Sequence, residues 1–202
     1  MESVGDPRST IDKEVAAFDA EPETAFAEST IRELISTYPD NQDVRHILVK
    51  AITINALYYA RVLDMDTQPL SIHLKTIDEL DTRLGQGTPD VVDAIWKSQG
   101  TRRKYLSFAT KFCSWHNQEA YAIYDLNIWE ALVAYRAKDE RFAFRNSECN
   151  DYAGFLAIVR RFRKSYGLED YSLKSIDKLL WRVGGRAIAE RGKARPEAPE
   201  AV

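Results

Sequence analysis

The chain has 202 residues, 45% of them apolar, and its 28 basic and 31 acidic side chains leave a net charge of −3. That length and apolar share suit one well-buried domain, and no apolar run approaches the roughly 18 residues a membrane span needs, so no membrane association is expected. Cys113 and Cys149 show neither metal spacing nor a disulfide-dense pattern and no charged-then-apolar leader opens the chain, which fits a reduced, cytoplasmic protein.

In chain order, residues 1–28 are acidic, rich in small residues and weakly patterned, and read as a flexible arm, although Ile11 to Phe18 could form a short helix. Ser29 and Thr30 can cap a helix through Ile31, Leu34 and Ile35 that ends before Pro39. Asp43 to Leu63 is the most apolar segment and predicts a central helix, in which Asn55 is expected to satisfy its amide within the core. Pro69 opens the next helix, stopped by Gly85-Gln86-Gly87, and Thr88-Pro89-Asp90 starts another through Val92, Ile95 and Trp96. Gly100-Thr101 interrupts the chain before Arg102.

The densest chemistry lies at 107–125. Tyr105, Phe108, Phe112 and Trp115 recur at helical spacing, His116-Asn117-Gln118 makes a turn, and Asp125 stands where its carboxylate can cap a helix beginning at Leu126. Cys113, Trp115, His116, Tyr121 and Tyr124 are the candidate pocket residues. Each is also the kind of residue that serves as core or core edge. After a polar crossing anchored by Phe142 and Phe144, Asp151 to Tyr166 predicts an amphipathic helix with a basic outer face. Ser172 caps a last helix, with Leu173, Ile176, Leu179, Leu180 and Val183 inward and Gly184-Gly185 as its end. From residue 187 onward the tail is expected to be disordered. The whole predicts an all-α fold, a compact bundle of seven or eight helices, with a single helical domain at 29–186.

Charge is distributed unevenly. Met1 to Asp40 holds ten acids against three bases, Arg160 to Arg195 eleven bases against four acids, and Lys97 to Lys111 five bases and no acid. A face combining the basic segments could meet a polyanion. Equally, the acidic arm could pair with the basic C-terminal surface. No glycine-rich phosphate loop, zinc-ligand set or nucleophile elbow is present, so no cofactor and no metal are expected.

The stretch Ser107-Phe-Ala-Thr-Lys-Phe-Cys-Ser-Trp-His-Asn117, continuing to Tyr121-Ala-Ile-Tyr-Asp125, resembles a pattern of uncharacterised bacterial helical proteins, F-A-[ST]-K, then H-N, then Y-x-I-Y-D. Ile54-Asn-Ala-Leu-Tyr58 and Tyr171-Ser-Leu-Lys-Ser-Ile-Asp-Lys-Leu-Leu-Trp181 resemble two further segments of it, so the likeness spans about residues 44–185. Gln118 and Ala122 replace prolines of that pattern. More distantly, the order of parts is similar to helix-hairpin-helix DNA glycosylases. That similarity implies a glycosylase-like arrangement in which Gly100 to Lys104 holds the hairpin position, without its Gly-x-Gly, and Asp125 the essential carboxylate, with Lys104 or Lys111 as an amine helper. The expectation is a nucleic-acid-associated protein, with base excision as the form any catalysis would take, contacting DNA through Arg102, Arg103, Lys104, Arg160, Arg161, Arg163 and Lys164 and through the basic face from Lys174 to Arg186. The alternative is a protein-interaction or small-ligand module. Basic residues gathered beside Asp125 favour the first, and bases interleaved with acids favour the second.

Overall fold

The computed structural model describes residues 4–98 and 100–193. Its regular structure is helical, with no strand among the described residues. The helices are α1 (Pro7–Asp19), α2 (Pro22–Thr37), α3 (Val44–Leu57), α4 (Asp64–Thr76), α5 (Leu80–Gln86), α6 (Asp90–Trp96), α7 (Leu106–His116), α8 (Leu126–Lys138), α9 (Tyr152–Ser165) and α10 (Leu173–Lys193), with a short 3₁₀ turn at Asn146–Cys149. Among the described residues ten α-helices stand where seven or eight were expected. One extra comes from the segment read as an arm, another from a break inside the helix placed around Ile72 to Leu84.

At the N-terminus, Asp6 accepts the Ser9 amide and Pro7 occupies the first turn, so α1 begins well before Ile11. Pro22 likewise starts α2, leaving Ser29 and Thr30 in mid-helix rather than at a cap. In the second case, α4 starts at Asp64 with Pro69 inside it, and Glu79 takes a left-handed backbone (φ 52°) that separates α4 from α5. Asn55 closes its amide on both the N–H and C=O of Val62, at 2.8 and 3.0 Å, and so fixes the exit from α3.

The core centres on α7. Every residue from Phe108 to Trp115 is buried, including Thr110, Lys111 and Ser114, as expected of a helix enclosed on all sides. Helices α2, α3 and α6 pack around α7, α10 lies along α8 and α1, and α4 backs α3. Phe142 and Phe144 insert under the 136–150 crossing, where they meet Phe162 and Trp129 respectively. Capping follows local chemistry: Asp125 accepts from the Asn127 amide, Asp151 from Gly154, and Ser172 from Ser175.

Gly184 and Gly185 do not end the last helix, which continues to Lys193. Residues 194–202 of the tail expected to be disordered lie outside the described residues. Gly184 instead permits a close crossing of α10 over α8, because a Cβ there would stand 1.7 Å from the Asn127 carbonyl oxygen. At Gly185 the nearest atom to such a Cβ is the Asn127 side-chain amide nitrogen at 3.5 Å, an ordinary contact. Gly184→Ala should therefore destabilise the protein by about 1–3 kcal/mol through forced separation of the helices. Gly185→Ala should be neutral or stabilising by up to about 1 kcal/mol through helix propensity. Denaturant unfolding of the two variants checks this, and equal effects would contradict the crossing.

Candidate active site

A cavity of about 740 Å³ opens between the α1–α2 corner, the end of α3, the start of α8 and the first turns of α10. Its size falls in the range of small-molecule sites, roughly 300–1,000 Å³. Aromatic and aliphatic side chains make most of the wall; Tyr58, Lys111, Asp125, Lys174, Asp177 and Lys178 supply polar groups on one side, and Glu21, Glu23 and Thr24 at the start of α2 supply others.

Lys111 reaches this wall from inside α7, its side chain only 4% exposed. Its ammonium donates to the Tyr58 carbonyl at 2.8 Å and to Asp125 Oδ2 at 3.1 Å. Burial pushes the Lys111 ammonium below its usual pKa, with Asp125 acting in the opposite sense. Asp125 divides its labour: Oδ1 caps α8 through Asn127, Oδ2 holds Lys111, and the side chain keeps 21% exposure at the cavity. The expected pairing of a helix-capping carboxylate with a lysine is thus made by Lys111. Lys104 lies elsewhere, donating to the Lys97 and Ser98 carbonyls at the end of α6.

Asp177 projects from α10 into the same region and is 3% exposed. Its Oδ2 accepts from the Ile123 amide at 3.1 Å, and Oδ1 has no protein partner. Burial lifts its pKa from an ordinary 3.8 to about 8, aided by the negative charge of Asp125 and opposed by Lys174 and the Ile123 amide. At neutral pH the cavity therefore holds a protonated carboxyl at Asp177 near the paired carboxylate of Asp125. Beside them, Lys174 donates to the Tyr58 hydroxyl (2.7 Å) and pairs with Glu28 (2.9 Å), while Tyr58 donates to Glu28 at 2.7 Å. Burial alone would raise Glu28, but Lys174, Tyr58 and Lys178 together hold it below the usual carboxylate range.

The residues expected to form a pocket surround this wall from behind or lie apart from it. Trp115 packs edge-on to Tyr58 and under the Lys174 ammonium. Cys113 is fully buried, which pushes its thiol pKa up. His116 places Nδ1 2.8 Å from the Phe112 carbonyl, which assigns the proton to that nitrogen, and burial depresses its pKa to about 4, so the ring is neutral. Tyr121 donates to the Arg83 and Thr88 carbonyls, and Tyr124 packs on Phe155 and Trp129.

Around the Gly100 turn, Arg102 and Arg103 are exposed, but the Arg102 amide donates to Asp66 at 3.0 Å, and the Arg103 amide also favours that carboxylate. An internal acid thus occupies amides that a phosphate would use. On α9, Arg160 and Lys164 are exposed, Arg161 pairs with Glu148, and Arg163 donates to the Leu168 and Glu169 carbonyls. Most bases of α10 meet acids of the N-terminal helices: Arg182 with Glu14 and Glu21, Arg186 with Glu14, Lys178 with Asp19 and Glu28. Acids and bases are interleaved here.

The sequence matches the family described as HI_0787_N, N-terminal domain, over residues 10–120, more than half of the chain. The chain belongs to that family. It is also 32% identical over 114 residues to an uncharacterized protein of Haemophilus influenzae, a match covering 55% of this chain and 54% of that protein, so it spans about half the relative's length. No solved structure matches. The family segment contains Tyr58 and Lys111, whereas Asp125 and Asp177 lie beyond it.

Sequence reasoning gave Asp177 and Glu28 no place in a site, and placed Lys174 on a DNA-contacting face rather than in a cavity. A signal for the first existed: Leu173, Asp177, Leu180 and Gly184 share one helical stripe, so a carboxylate interrupts an otherwise inward-facing row. Because the native Asp177 keeps its proton to about pH 8 while the unfolded chain releases it near 3.8, the native state binds the extra proton between those values. Wild-type stability should therefore fall as pH rises through that window, by at most about 1.4 kcal/mol per pH unit from this group. Asp177→Asn, which retains an acceptor for Ile123, should lose that slope. Unfolding free energies of both proteins at pH 5, 6.5 and 8 measure it, and parallel pH curves would contradict a buried protonated Asp177.

Proposed function

We propose that this chain cleaves the N-glycosidic bond of a nucleoside-sized ligand bound in the cavity. The observation that carries the reading is the pair of carboxyl groups lining one cavity, Asp177 buried with an unpartnered Oδ1 and Asp125 ion-paired to Lys111, an arrangement that can supply an acid and a base together. In this reaction the C1′–N bond breaks and its electron pair passes to the leaving base, which takes the proton of Asp177. Water adds to C1′ and gives its proton to Asp125, whose negative charge also stabilises the cationic sugar as the bond opens. Lys111, an ammonium with two acceptors, orients Asp125 rather than attacking the sugar.

The resemblance to helix-hairpin-helix glycosylases supports the same bond class by analogy of scaffold. A free nucleoside fits better than duplex DNA, because amides of the hairpin-like turn are engaged by Asp66 and the bases of α10 by acids.

Incubation with purine and pyrimidine nucleosides, followed by chromatography of released base, should show turnover that falls above about pH 8 as Asp177 loses its proton. Asp125→Asn should slow release by about 10²–10³-fold, and Asp177→Asn should remove the alkaline limb of the pH profile. Parallel binding of single- and double-stranded DNA at two salt concentrations separates the alternatives. Salt-sensitive affinity that depends on Arg102 and Arg103 would extend the substrate to a nucleotide within a strand. No base release from nucleosides or DNA would contradict the proposal.

A further inference from the structure

We infer that Phe26 and Tyr59 form an aromatic clamp at the cavity mouth that selects ligands carrying a flat aromatic ring; this rests on reading the cavity as a ligand site. Both residues line it, yet they are 67% and 77% exposed, the two most solvent-accessible large apolar side chains among the described residues. They stand on different elements, Phe26 on α2 and Tyr59 just after α3.

The backbone displays Tyr59 rather than leaving it loose. Lys111 grips the Tyr58 carbonyl, Ala60 is buried and bonded to the Asn55 carbonyl, and the Asn55 side chain holds Val62 at both N–H and C=O. With its neighbours anchored inward, Tyr59 is turned outward at φ 49°, a left-handed conformation that a bulky residue seldom takes and that persists where surrounding contacts enforce it. Trp181, exposed and edge-on to Phe18, adds a further aromatic side chain to the lining. Asp177 lines the same cavity, and its Oδ1 is buried and without a partner, an atom that a ring nitrogen or ring carbonyl would satisfy. A planar, nitrogen-bearing ring meets both features, its faces on aromatic side chains and its edge on a carboxyl proton, whereas a sugar or an aliphatic chain meets at most one.

Calorimetric titration of adenine, nicotinamide and methyl riboside into the full chain tests the clamp without requiring turnover. The rings should bind and the riboside should bind at least tenfold more weakly. Phe26→Ala and Tyr59→Ala should each weaken ring binding about tenfold, as loss of a stacking partner does, while Tyr59→Phe retains it. The clamp is overturned if neither ring binds, if the riboside binds as tightly as the rings, or if both alanine variants bind like wild type with unchanged thermal unfolding. Ring binding that depends on Phe26 and Tyr59, in a protein that releases no base, would leave the clamp standing and remove only the proposed reaction.

Discussion

The ammonium of Lys111 is the point at which the buried core meets the cavity wall. From the middle of α7 it holds the carbonyl of Tyr58, the residue that caps α3, and the carboxylate that begins α8, so three elements meet at one buried positive charge. Taking an ammonium out of water costs several kcal/mol, and an apolar side chain of similar length would fill the space at no such cost. Two short contacts offset the penalty. They also fix Asp125 where its remaining exposure faces the cavity, which an apolar residue could not do. The arrangement sacrifices some packing stability to keep an oriented carboxylate beside a ligand-sized space.

A second set of charges closes the molecule from outside. The acids of α1 and α2 lie against the bases of α10, which resolves the polarity between the two ends of the chain into one interface. Exposed ion pairs contribute little each, but the Glu14 and Glu28 carboxylates are largely buried. Here several share partners, Glu14 with two arginines and Glu28 with two lysines, and the helices they join carry part of the cavity wall, including Phe18 and Lys178. The N-terminal helices are thereby part of the site.

Local chemistry was readable in the sequence. The capping carboxylate Asp125, the cap at Ser172, the amphipathic stretches and the inward role of Asn55 depend on neighbours a few residues away, and cap chemistry and periodicity expose them. Features that depend on distant partners were not. Pro7–Asp19 looks like an arm because its acids are polar in isolation, and only α10 makes that face useful. Gly184 and Gly185 read as a terminator because glycine usually ends helices, yet the decisive neighbour of Gly184, the Asn127 carbonyl, lies on another helix. Lys111 and Asp125 were found by motif and cap chemistry. Their link to Asp177, Tyr58 and Glu28 required the fold, since those residues are spread from position 28 to 177.

The central claim is that the Lys111–Asp125 pair is retained for what it does in the cavity rather than for holding the fold. The most direct test is the double variant Lys111→Met/Asp125→Asn, in which asparagine still caps α8 and methionine fills the space of the lysine. Its unfolding free energy and its base release should be measured together. Stability within about 1 kcal/mol of wild type, with base release abolished, is the predicted outcome. A folded double variant that releases base at the wild-type rate, or one destabilised as severely as the loss of a major core contact, would contradict it.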